Sequence, residues 1–173
     1  MKISLIGYMG SGKTRVGASL AQVLDWEFVD LDDYIERQSG VSIGDFFKDY
    51  GAIKFRKYER EMLENLINND KDMVISLGGG TPCYYDTMNY LLELKDHKSI
   101  YLKTSIPTLV NRLKEEKSHR PLIANLNSDQ ELAEFIGKHL FERSHIYAQA
   151  QFTLSTDQKS PDQIVHEIVS GLF

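Results

Sequence analysis

Gly7-Tyr8-Met9-Gly10-Ser11-Gly12-Lys13-Thr14 is the stretch whose reading decides the fold. It satisfies G-x-x-x-x-G-K-[ST] in full, and its neighbours supply the setting that pattern needs. Before it stands Ile3–Ile6, a short strand-like run ended by Gly7. After it, Thr14–Leu24 carries Val16, Leu20, Val23 and Leu24 at helical spacing. Glycines let the backbone curl so that successive N–H groups converge on one point. The following helix adds its positive N-terminal end. In such a loop Lys13 reaches the β- and γ-phosphates of a nucleotide, and the Thr14 hydroxyl offers an oxygen to Mg²⁺.

Outward from the loop, strand-like and helix-like stretches alternate. Phe28–Val29 reads as a strand ending at Asp30, and Ile53–Ile67 as a helix. Met73–Leu77 is a buried-type strand that runs into Gly78-Gly79-Gly80. Tyr84–Leu94 reads as helix, Ser99–Leu102 as strand and Thr108–Lys114 as helix. Asp129–Gln149 is a long helix opened by Ser128 or Asp129, Phe152–Leu154 a last strand, and Ser160-Pro161 opens a final helix. Alternation of this kind predicts an α/β fold, a parallel sheet with helices on both faces. Ligands then collect outside the carboxyl ends of the strands.

Asp30 and Asp32 follow the second strand. They share strand parity, which aims both at the phosphate loop. One carboxylate can hold Mg²⁺ through water, and the other can orient an attacking hydroxyl and take its proton. Asp33 reads as the cap of a helix from Tyr34 to Gln38.

Composition narrows the rest. The 173 residues suit one domain, 42% hydrophobic and 26% charged, with a net charge of −5. That balance argues against a nucleic-acid partner. Cys83 is the only cysteine, so no intrachain disulfide forms, which fits a reducing compartment. The five histidines show no paired metal-ligand spacing. The N-terminal apolar run is too short for a signal peptide or a membrane span, so no membrane partner is expected and the cytoplasm is the expected location. The switch and base-reading motifs of regulatory GTPases are missing, and the chain is short for a motor.

Read jointly, the phosphate loop, Asp30/Asp32, Phe55-Arg56 followed by Glu59, Gly78-Gly79-Gly80, Arg120-Pro121-Leu122, and Arg143 followed by Tyr147 resemble the shikimate kinases in order and spacing. The resemblance runs from about residue 3 to about residue 161. It implies transfer of the ATP γ-phosphate to the 3-hydroxyl of shikimate, on the route to chorismate and the aromatic amino acids, with Mg²⁺ as cofactor. It also implies a three-layer P-loop kinase fold with a five-stranded parallel sheet, helices on both faces and a mobile lid. A single kinase domain, 1–173, would hold a lid about 114–127 and a substrate-binding region about 32–62. A monomer is expected, because the family's site lies within one chain.

Residue by residue, the resemblance puts Asp32 on the substrate hydroxyls and Asp30 with Thr14 at the metal. Arg56 and Arg143 fall on the shikimate carboxylate. Gly79, flanked by Gly78 and Gly80, makes a backbone contact to the substrate. Arg120 is the lid arginine that reaches the phosphates, and Arg112 stacks on adenine. Gly10, Ser11, Gly12, Lys13, Thr14 and Arg15 bind ATP, and Lys13, Asp32 and Arg120 form the catalytic set. The chain departs from the family where Ala52 replaces the acid of G-E-x-x-F-R and where Lys159-Ser160-Pro161 replaces an Arg or Asn-Pro element near adenine.

Singly, most of these residues have plainer readings. Arg56 would pair with Glu59 on a helix surface, Arg143 with Glu142, and the three glycines would make a tight turn ended by Pro82. A kinase of another metabolite, such as gluconate or a nucleoside monophosphate, and a non-catalytic ATP-binding module remain the alternatives.

Overall fold

The computed structural model describes residues 1–116 and 122–172. Arg120 lies outside the described residues, as does the middle of the expected lid. Five strands, β1 (Lys2–Ile6), β2 (Glu27–Asp30), β3 (Met73–Ser76), β4 (His97–Lys103) and β5 (Phe152–Ser155), form one sheet in the order β2-β3-β1-β4-β5. Every pairing is parallel, with Ser4 opposite both Ile75 and Ser99 at the centre. The helices among the described residues are α1 (Lys13–Leu24), α2 (Leu31–Ser39), α3 (Ile43–Ile67), α4 (Thr87–Glu93), α5 (Ile106–Leu113), α6 (Asp129–Tyr147) and α7 (Pro161–Leu172).

Strand alternation explains the three layers. Ile3, Leu5, Val74, Ile100 and Leu102 turn to one face and pack with Val16 and Leu20 of α1 and Ile164, Val165 and Ile168 of α7. Ile6, Ile75 and Tyr101 turn to the other, against Ile35, Phe55, Leu63, Leu91 and Tyr147. A third cluster joins Tyr8 of the phosphate loop to Leu109, Leu113, Ile123, Leu132 and Ile136, so α5 and the first half of α6 brace the loop from its far side. The expected α/β architecture, parallel sheet and two-sided helical cover are all present. No helix among the described residues is long and apolar enough to cross a membrane.

Three expectations need correction. Helix α2 starts at Leu31, and its cap is Asp30, whose carboxylate accepts from the Asp32 backbone N–H; Asp33 is a first-turn residue. Asp32 therefore reaches the loop from a helical first turn, and strand parity with Asp30 has no part in it. Helix α3 begins ten residues before Ile53, capped by Ser42, and is broken by Gly51, which holds φ 79° and ψ 168°. The first segment is short and amphipathic, and it forms because Phe46 and Phe47 pack on Phe55 across the kink. Helix α4 begins at Thr87, since Tyr85 and Asp86 both hold positive φ, preceded by a 3-10 turn over Thr81–Cys83.

Candidate active site at the strand ends

All five strands deliver their carboxyl ends to one edge, and a cleft of about 590 Å³ opens there. Gly10, Ser11, Gly12, Lys13, Thr14, Arg15, Asp30, Asp32, Gly78, Gly79 and Arg112 line it together. Residues far apart in sequence thus meet on one wall, as the parallel topology requires.

The donor side is made of backbone. Gly10 and Gly12 hold φ of 79° and 95°, left-handed angles that let the loop curl. Helices α2, α3, α5 and α6 carry side-chain caps from Asp30, Ser42, Ser105 and Ser128, whereas α1 starts after Gly12 with no side-chain cap. Its first N–H groups are left to the cleft, the arrangement an anion needs. Lys13 Nζ donates to the carbonyls of Gly7 and Tyr8 at 2.8 and 3.0 Å, folded over the loop it serves. Arg112 donates to Gly10 O at 3.0 Å and ties α5 to the loop. Lys159, Pro161 and Ile164 form the remaining wall, with Lys159 held by Glu167 at 2.7 Å.

Two carboxylates stand opposite. Thr14 Oγ1 donates to Asp30 Oδ2 at 2.8 Å, so a hydroxyl and a carboxylate already converge on one point. Asp32 is pushed up to about 6, first by burial, then by the charges of Asp30 and Glu59, while Lys13 and Arg56 pull it down. A carboxylate with that value is ionised near neutral pH yet basic enough to take a proton.

The acceptor side is made of side chains. Arg56 Nη1 meets Glu59 Oε2 at 2.7 Å, and Glu59 Oε1 accepts from Thr81 Oγ1 at 2.6 Å. The pairing foreseen for a surface arginine is real, but Glu59 is buried, so this is no solvated helix pair. Arg56 also lies over the Tyr84 ring at 4.4 Å. The glycine run has a steric reason. A Cβ on Gly80 would stand 2.6 Å from Arg56 Nη2, and one on Gly78 2.9 Å from Asp32 Oδ1. Arg56 thus stands against Gly80 and reaches an adjoining apolar hollow that it lines with Phe47, Ala52, Ile53, Tyr84 and Tyr85. Ala52 faces that hollow, and the ionic partner of Arg56 is Glu59. Arg143, half-buried on α6, lies near Tyr147 and Cys83. The Cys83 thiol is raised by burial, against the pull of Arg143 and Arg56.

Sequence reading gave Thr81 no role, Tyr147 only a place in a pattern, and Glu59 a place in a pattern and a surface pairing with Arg56. The signal for Glu59 was available, since an acid three residues from an arginine shares its helix face. Its burial was not. Arg60, one residue on, is structural: it pairs with Glu64 at 2.7 Å and covers the Tyr90 ring at 3.9 Å.

A family profile described as shikimate kinase matches residues 9–172. A shikimate kinase from Flavobacterium psychrophilum is 46% identical over 172 residues, covering 99% of both chains. Among solved structures, the shikimate kinase of Bacteroides thetaiotaomicron superposes with a TM-score of 0.90 at 35% identity, covering 99% of this chain and 98% of its own. That of Acinetobacter baumannii, in complex with shikimate, gives 0.85 at 31% identity, with 99% and 92% covered.

Proposed function

The chain belongs to the shikimate kinase family, and from that premise we propose that its strand-end cleft seats ATP on the phosphate loop and shikimate between Asp32, the glycine run and the two arginines. The reaction is ATP-dependent phosphorylation of shikimate, at the 3-hydroxyl, on the way to the aromatic amino acids. The observation that carries the site assignment is the convergence of an uncapped helix start, Lys13 and a perturbed Asp32 on one cleft.

In this reading the α1 N-terminus and the N–H groups of Gly10, Ser11 and Gly12 hold the β- and γ-phosphates, with Arg15 at the rim. Lys13 moves from its loop carbonyls to the transferring phosphoryl group, and Arg112 with Pro161 and Ile164 flanks the base. Asp32 accepts the hydroxyl proton as the oxygen attacks. Arg56 and Arg143 take the carboxylate, where a planar guanidinium donates two parallel hydrogen bonds. Gly78, Gly79 and Gly80 bring backbone close to the ring. The role carried over to Arg120, closing on the phosphates, rests on the resemblance alone.

Mg²⁺ belongs to the same proposal. The donors that would hold it are Thr14 Oγ1 and Asp30, oxygen ligands of the kind a hard cation takes. Among the described residues no group of three or more His, Cys, Asp or Glu side chains gathers to cage a metal, which suits an ion that leans on phosphate oxygens and water. The ion would neutralise charge on the phosphates. A cytoplasmic monomer completes the reading, supported by the single free thiol and a cleft built within one chain.

ADP release measured in a coupled assay with ATP and Mg²⁺ tests the reading, with shikimate as acceptor and gluconate and AMP as controls. Release that depends on shikimate alone is expected. Release with gluconate or AMP instead would overturn the roles of Arg56, Gly79 and Arg143.

A further inference from the structure

Helix α6 presents His139, Arg143 and Tyr147 at successive four-residue steps, so the three side chains lie along one stripe. The two ends of that stripe grip the two halves of the cleft. At the first, His139 Nδ1 is 2.8 Å from the hydroxyl of Tyr8, a phosphate-loop residue that is 2% exposed. At the other, the Tyr147 hydroxyl donates to the carbonyl of Gly79, in the glycine loop. Arg143 stands one turn from each.

Tyr147 is wholly buried, its ring packed against Tyr101 with centroids 5.3 Å apart. A buried phenol must find a partner, and this one has a backbone carbonyl in a run of three glycines. The carbonyls of Gly78 and Gly80 accept from the backbone N–H groups of Thr81 and Cys83, and that of Gly79, between them, takes Tyr147 instead. Holding Gly79 O on α6 fixes the plane between Gly79 and Gly80, because the peptide is rigid. The Gly80 N–H then points away from α6, and Gly80 keeps its close seat against Arg56. Gly79 also neighbours the phosphate loop: a Cβ there would make ordinary contact with Met9 N at 3.6 Å and Gly7 O at 3.7 Å.

We propose that Tyr147 is a positioning residue for the acceptor, holding the glycine loop in register with Arg143, and that Tyr8–His139 is the matching tie for the donor loop, so that α6 spaces the two substrates. The inference rests on the phosphotransfer reading of the cleft. It predicts a split that a purely structural role would not give.

The test is steady-state kinetics of Tyr147→Phe and Tyr8→Phe, each with ATP and shikimate varied in turn, together with Tm for both. Tyr147→Phe keeps the ring and removes only the hydroxyl, which donates to Gly79 O and also bonds Arg143. It is expected to raise the shikimate KM about tenfold, with the ATP KM within about twofold of wild type. Tyr8→Phe is expected to do the reverse. Titration of shikimate into the Tyr147→Phe protein by calorimetry should find the same weakening at equilibrium. Unchanged KM values, or equal shifts in both substrates that follow a drop in Tm, would overturn the proposal. Wild-type protein that releases no ADP with shikimate would instead sink the phosphotransfer reading, so the two failures are distinct.

Discussion

Gly7–Thr14 offers its ligand groups from its own backbone, whereas the groups of Arg56, Gly80 and Arg143 are aimed by side chains drawn from separate stretches of the chain. The donor loop needs φ angles of 79° and 95° at two glycines, an uncapped helix start and a lysine laid back over its carbonyls. These ligand-facing groups all come from eight consecutive residues, which α5 and α6 brace from behind. The acceptor wall needs a buried glutamate to aim Arg56, a threonine to satisfy that glutamate, and a buried tyrosine to pin Gly79. An anion that varies little, such as a triphosphate, can be met by backbone N–H groups. A small ring with one carboxylate and several hydroxyls needs directed side chains, and those must be fixed from behind.

The largest effect should come from Lys13→Ala, which removes the one cation of the loop that can follow the transferring group. Turnover is expected to fall about 10³-fold or more, with the circular dichroism spectrum unchanged; near-normal turnover would break the donor half of the contrast. Asp32→Asn comes next. Loss of the proton acceptor should lower kcat about 10²-fold. The same change should stabilise the fold, because Asp32 is raised to about 6 and its ionised form is disfavoured by folding. The folded state binds the extra proton between about 4 and 6, so at pH 7 the native charge costs about 3 kcal/mol. A higher urea midpoint for the variant checks this.

The acceptor wall should yield smaller and more selective effects. Arg56→Lys is expected to raise the shikimate KM about tenfold, since an ammonium cannot donate the paired bonds of a guanidinium. Initial rates over a shikimate series will read it, and an ATP KM that moved as much would blur the division between the halves. The smallest effect is in the pH profile. In wild type, kcat/KM for shikimate should decline as pH falls through about 6, as Asp32 of the free enzyme takes up its proton. The decline should be missing from the residual activity of Asp32→Asn.

The same contrast explains what could be read in the sequence. The phosphate loop is contiguous, and its strand–loop–helix setting is visible in Ile3–Ile6 and Val16–Leu24, so the donor side and the parallel α/β fold were legible from local pattern. Arg56, the glycine run and Arg143 carry no local signature of a site, and only their joint spacing, read as a family resemblance, picked them out. Burial was the missing quantity. Glu59 looks like a surface acid until Thr81 and Arg56 close over it. The cap at Asp30 was misread as Asp33 because a run of aspartates offers several candidates, and only the backbone turn at residue 30 decides between them. The segment before Gly51 carries a legible helical signal, with Ile43, Phe46, Phe47 and Tyr50 at i, i+3, i+4 and i+7 behind Ser42, and only its short length and the break at Gly51 obscure it.

Cys83 gives the acceptor wall a chemical reporter. It is the chain's only thiol, half-buried at the end of the short turn beyond the glycine run, with Arg143 and Arg56 close enough to bias it. The only tryptophan, Trp26, packs with the opposite layer, on the α1 and α7 face, so intrinsic fluorescence looks away from the acceptor. Alkylation of the native protein by a maleimide should therefore proceed at a single address, slowly because burial keeps the thiol protonated. Shikimate should slow it further while a nucleotide alone leaves it nearly unchanged. A one-site labelling time course would then count acceptor occupancy without any catalysis taking place.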